Sequence, residues 1–145
     1  MKKSLGNKPL IYPQPVLVIA TYNEDGTANA MTAAWGGVCD YSKVSMIIDK
    51  GHKTAKNLLA KKAFTLSIAD FPHLKEADYL GIVSGNQVAD KVSKAGLAVS
   101  KSQNVEAPIL EDFPLTLECR LLSYDETTER AIGEVVNTLA DESIL

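Results

Sequence analysis

The stretch PVLVIATYNEDGTANAMTAAWGG, residues 15–37, constrains the fold more than any other part of the 145-residue chain. A β-branched, apolar run enters through Pro15 and ends at Tyr22, which is a strand pattern. Asn23-Glu24-Asp25-Gly26 then supplies turn chemistry, because Asp-Gly tolerates the positive φ angles of a tight hairpin. The return strand, Thr27 to Trp35, is therefore antiparallel to the first. Its composition is unusual: Ala30, Ala33 and Ala34 have almost nothing to pack, and β-branched residues are nearly absent. Either a flat ligand lies against this backbone beside Asn29, Met31, Thr32 and Trp35, or another strand or subunit crosses it closely.

The remaining elements are mostly strands. KVSMIID (43–49) alternates approximately, FTLSIAD (64–70) is a further strand, and PLTLECRLLSY (114–124) and RAIGEVVNTLAD (130–141) are the last two. Between them TAKNLLAKKAF (54–64) changes period. Ala55, Leu58, Leu59 and Phe64 form an apolar helical face, and Lys56, Lys61 and Lys62 a wet one. HLKEADYLGIVSG and DKVSKAGL read as short helices separated by the Gly85-Asn86 break. Repeats and linkers are absent, so residues 1–145 are expected to form one domain, mostly β with short helices. The order is not the strand–helix alternation of a doubly wound sheet, which favours a mostly antiparallel barrel or roll.

Charge and cysteine usage exclude several functions. A formal net charge of −3, with no stretch interleaving basic and aromatic residues, argues against a nucleic-acid surface. Cys39 and Cys119 do not make a disulfide framework, and no apolar run reaches the length of a signal h-region or a membrane span. A soluble cytoplasmic protein is expected. His52 and His73 have no second ligand at metal-binding spacing, so no metal is expected. A Cys39–His52 nucleophilic pair lacks an orienting third group.

One segment is suited to an anion. In DKGHKTAKNL (49–58) a strand ends at Asp49, and Gly51, His52, Lys53 and Thr54 open a helix. A helix start offers unpaired N–H groups and a positive dipole end. Lys50, His52 and Lys53 add donors, and the Thr54 hydroxyl either caps the helix or donates to a phosphate. The Gly-Lys-Thr of a Walker loop is missing, as is a glycine-rich dinucleotide fingerprint.

Taken in order, four segments make the chain resemble the flavin reductase-like, or flavoredoxin-like, family of split β-barrels. They are PVLVIATYNEDGTANAMTAAW, SMIIDKGHKTAKNL, YLGIVSGNQVADKVSKAGL and LECRLLSYDETTERAIGEVV, and the resemblance spans residues 13 to 140. It implies noncovalent FMN and a homodimer with the flavin near the subunit boundary. It implies that Asn29, Ala30, Met31, Thr32, Ala33 and Trp35 lie at the isoalloxazine ring. Lys50, His52, Lys53 and Thr54, with Asn57, would hold the ribityl phosphate, and Lys91 of the Asp90-Lys91 pair would reach the cofactor. The implied activity is an oxidoreductase that takes electrons from NADH or NADPH, a transient visitor, and passes them to an acceptor. The flavin carries that chemistry, so no catalytic side chain is assigned. An electron carrier that exchanges with a redox-protein partner is the alternative, as is a non-catalytic flavin-binding module. Two departures stand out. Members closest to flavoredoxin carry a histidine shortly before the GEV strand, where Thr128, Glu129 and Arg130 stand here. The chain ends at Leu145, short of the strand or helix with which members commonly continue.

Overall fold

The computed structural model describes residues 1–145. Seven strands form one antiparallel sheet: β1 (Leu17–Tyr22), β2 (Ala28–Ala33), β3 (Gly36–Asp40), β4 (Lys43–Ile47), β5 (Ala63–Ile68), β8 (Leu115–Asp125) and β9 (Arg130–Ala140). Helix α1 (Lys53–Lys61) joins β4 to β5. Helices α2 (Leu74–Ile82) and α3 (Lys91–Lys94) and the short pair β6 (Val99–Lys101) and β7 (Pro108–Leu110) fill the connection from β5 to β8. The mostly β expectation therefore holds.

The strand order is β2-β1-β5-β8-β9-β4-β3. Consecutive strands β2 and β3 thus occupy opposite edges, joined only by Ala34 and Trp35. The sheet must curl until its edges approach, and because β2 and β3 do not pair, the barrel stays split. The Trp35 carbonyl accepts from Ile47 N at 2.9 Å, carrying the joint onto β4. At Gly36 a Cβ would lie 2.9 Å from Leu17 Cδ1 and 3.1 Å from Met46 Cγ, so the backbone crosses the core there with no room for a side chain. The sequence suggested a return strand running to Trp35. It stops at Ala33, and Gly36–Asp40 forms a strand that the Gly-Gly pair concealed.

Strand β1 is buried on both faces, which explains the unbroken run VLVIA where one exposed face would impose alternation. Leu17 and Ile19 point into the barrel with Met46, Phe64, Leu66 and Cys119, and α1 plugs one end through Ala55 and Leu58. Val18 and Ala20 point outward and join Ala30, Ala77, Leu80, Val92 and Phe113 beneath α2 and α3. Burial pushes the Cys119 thiol up to about 12, with the neighbouring Glu118 adding to the effect, so this cysteine is inert packing.

Two buried polar knots fix the outer parts. Asn57 Nδ2 donates to Thr21 Oγ1 (3.1 Å) and Asn23 Oδ1 (2.9 Å), locking α1 onto the first hairpin. Glu118 accepts from Ser102 Oγ (2.5 Å), Asn104 Nδ2 (2.7 Å) and Asn137 Nδ2 (2.6 Å), tying the β6–β7 loop to the sheet. Burial pushes its carboxyl up, but these donors outweigh burial and hold it below the ordinary range.

Candidate functional site

A cavity of about 190 Å³ lies beside β2, between the start of α1 and the end of α2. Asn29 and Met31 form its floor, and His52, Lys53 and Thr54 one wall. The facing wall runs from Leu80 through Gly85, with Lys91 behind it. Strand β2 pairs only with β1. As an edge strand, it turns every second backbone N–H and C=O away from the sheet.

Glycines set the width of the site. A Cβ at Gly81 would lie 3.3 Å from Thr32 Cβ, so glycine lets α2 press onto β2. The Thr32 hydroxyl then donates to the Ala77 carbonyl at 2.5 Å. At Gly85 a Cβ would come within 2.3 Å of Asn29 Oδ1, a distance no real contact tolerates. From the sequence Gly85 reads only as a break between two helices, and Gly81 carries no assignment. The signal for Gly81 is a glycine interrupting a helical pattern, and its partner Thr32 lies 49 residues away.

The anion corner is built as a set of donors. His52 is the N-cap of α1 but makes no capping bond with its side chain, and the first turn contains no acidic residue. The amides of Lys53, Thr54 and Ala55 have no partner within the chain. Thr54 is a correction to the capping alternative: it lies inside the first turn, 2% exposed, and its Oγ1 accepts from Asn29 Nδ2 at 3.0 Å. A helix start that leaves three amides free beside His52 and Lys53 favours negative charge.

Lys91 supplies a second cation. Its ammonium is buried and donates to the carbonyls of Leu80 (3.0 Å) and Val83 (2.7 Å), at the otherwise electronegative end of α2. Burial lowers its pKa from 10.5 to about 8. Two of its three N–H bonds are used, and the third has no partner in the chain.

The structure brings together Asn29, Met31, His52, Lys53, Thr54 and Lys91. Other residues named from the sequence go elsewhere. Ala30 and Ala33 face the two cores, so their small size accommodates α2 and the barrel packing. Thr32 bonds α2, and Asn57 is turned into the hairpin knot, away from the cavity. Trp35 is 70% exposed on the joint between β2 and β3. Lys50 is exposed, and its amide donates to the Glu129 carboxylate at 3.2 Å. Glu129 thus steadies the approach to α1 from the Thr128–Arg130 stretch, where the resemblance implies a histidine in the members closest to flavoredoxin. No three His, Cys, Asp or Glu side chains converge as a metal centre.

A curled seven-stranded antiparallel sheet whose two edge strands do not pair, with a donor-lined cavity beside one of them, defines a split β-barrel. The chain belongs to the flavin reductase like domain family, which it matches over residues 10–145. It is 37% identical to the flavoredoxin of Desulfovibrio vulgaris (Miyazaki F), with a TM-score of 0.93 over 100% of this chain and 79% of that one. The flavoredoxin of Methanosarcina acetivorans is 25% identical, with a TM-score of 0.84 over 100% and 78%. An FMN-binding domain of a flavin reductases-like enzyme from Shewanella baltica OS155 shares the fold at 21% identity. Its TM-score is 0.84 over 90% of this chain and 71% of that one.

Proposed function

We propose that the protein binds FMN noncovalently in the cavity beside β2, accepts electrons from NADH or NADPH and passes them to a second acceptor. The observation that carries this reading is the wall of unpaired donors at Lys53–Ala55, set at right reach of an edge strand in a chain of this family. Bound FMN would supply the redox chemistry, a ring system able to take up a hydride and release electrons. The first-turn amides of α1, with His52, Lys53 and Thr54, would hold its phosphate. The outward-facing backbone of β2 would satisfy the polar rim of the ring while Met31 packs against it. Lys91 would oppose negative charge gathered on the ring or phosphate. No side chain of the cavity is needed as a nucleophile.

The cavity is smaller than the roughly 300–1,000 Å³ of a typical small-molecule site, so much of FMN would lie outside its walls. Uncovered aromatic side chains elsewhere, Tyr12, Trp35, Tyr41 and Phe71 among them, favour a homodimer whose second copy completes the enclosure. The 37% identity to a flavoredoxin supports the second reading, an electron carrier that serves a redox-protein partner and has no nicotinamide site. Purified protein is expected to be yellow, to sediment at twice the chain mass, and to release FMN on heating. Anaerobic bleaching by NADH or NADPH supports the reductase. Bleaching by a reduced protein alone supports the carrier, and colourless protein that ignores added FMN defeats both.

A further inference from the structure

We infer that Asn29 is a positioning residue for the anion corner: its amide fixes the Thr54 hydroxyl as a donor aimed at the ligand phosphate. This rests on the phosphate reading above and departs from the ring contact that the resemblance implied for Asn29. Asn29 is 2% exposed, and its Nδ2 donates to Thr54 Oγ1 at 3.0 Å. A hydroxyl has one hydrogen and two lone pairs. With one lone pair taken by Asn29, the Thr54 hydrogen must be directed elsewhere. A threonine in a helix ordinarily returns that hydrogen to the carbonyl three or four residues back. Here no such return bond is made: Thr54 accepts from Asn29 and donates to no group of the chain. The hydrogen is left without a partner in the same helical turn as the free amides of Lys53, Thr54 and Ala55, four unpaired donors in all.

The orientation of Asn29 matters because a reversed amide would accept from Thr54 and withdraw the donor. Gly85 controls the space at Asn29: its missing Cβ would lie 2.3 Å from Oδ1. Three residues distant in sequence (Asn29 on β2, Thr54 on α1, Gly85 after α2) therefore act as one device.

The test measures FMN and riboflavin affinities in parallel, by quenching of flavin fluorescence, on the full chain. Their ratio isolates the phosphate, whereas a change in folding or in ring packing moves both together. Thr54→Val should lower the preference for FMN at least tenfold, while Thr54→Ser should retain it. Asn29→Asp offers Thr54 only acceptors and should lower the ratio as far as Thr54→Val does. Asn29→Ala should lower it threefold or more in the wild-type background and leave it unchanged when added to Thr54→Val. Gly85→Ala, which alters neither partner, should lower the ratio by crowding the amide, and it serves if the Asn29 variants do not fold. An unchanged ratio in Asn29→Asp and Gly85→Ala overturns the inference while leaving the phosphate site standing. So does an equal drop from Asn29→Ala with and without Thr54→Val. A wild-type protein that binds both flavins equally removes the phosphate reading, and this inference with it.

Discussion

Lys91→Met is expected to weaken FMN binding at least tenfold at pH 7 and to remove a pH dependence that the wild-type protein shows. Hydrogen bonds to charged groups contribute roughly 1.5–3 kcal/mol, and the lost group is a buried cation with one N–H still free. Burial sets the Lys91 pKa at about 8 in the ligand-free protein, so its charge is present below that pH and disappears above it. The Lys91 contribution to wild-type affinity should therefore be constant below about pH 8 and decline above it, until the pH passes the higher pKa that a bound anion gives the ammonium. Stability of the ligand-free protein moves the other way. Between about 8 and 10.5 the unfolded chain binds the Lys91 proton more readily than the folded one, so folding becomes more favourable as pH rises across that window. Lys91→Met should lack both slopes. Fluorescence titration of FMN from pH 6 to 10, with urea unfolding over the same range, reads them. A variant that keeps the wild-type affinity and profile takes Lys91 out of the site.

Gly133→Ala is expected to give the largest loss of stability of any single methyl addition to the sheet. Gly133 sits on β9 opposite Val44 and Leu121. A Cβ there would lie 2.3 Å from Phe64 Cζ and 2.6 Å from Cε1, and Phe64 has no exposed surface into which to retreat. Overpacking of this kind costs about 1–3 kcal/mol, and the rigid surroundings place this site at the upper end. For a chain of this length that lowers Tm by roughly 5–10 °C. Phe64→Leu alone also destabilises, by leaving a void. Combined with Gly133→Ala it should cost clearly less than the sum, since each change relieves the other. Thermal melts of the three variants decide the matter, and strict additivity would mean that the ring and the glycine are not in conflict.

The strands with strong side-chain patterns were legible in the sequence. β1 announced itself through VLVIA, and the first turn through Asp25-Gly26, with Gly26 at φ +85. The strands that were missed carry little pattern of their own. β3 begins with two glycines chosen by close approach, and β6 and β7 are three residues each, held by pairing and by the Glu118 knot. At the site, GHKT was readable because a helix start is local chemistry. The opposite wall was not, because Gly81 and Gly85 acquire meaning only when Thr32 and Asn29 arrive against them. Asn57 shows the same limit. An asparagine on the buried face of α1 has a polar partner somewhere, but only the fold shows that the partner is the hairpin. The alanines of β2 were noticed for a sound reason, yet Ala30 and Ala33 spend their smallness on helix and barrel packing.

The Ala34–Trp35 joint has a mechanical consequence. Three backbone steps from Ala33 to Gly36 reach at most about 11 Å, so the two rims of the open sheet are on a short leash. At that end the rims cannot part without unzipping β2 or β3 from its neighbour, so the joint is the pivot of the seam. Strand β2 is also tied to β1 along its length and to α2 through Thr32, which holds the floor that a visitor to its edge meets. The opposite wall is tied as well, by the bonds of Lys91 to the Leu80 and Val83 carbonyls. Widening the pocket therefore means breaking one of these ties.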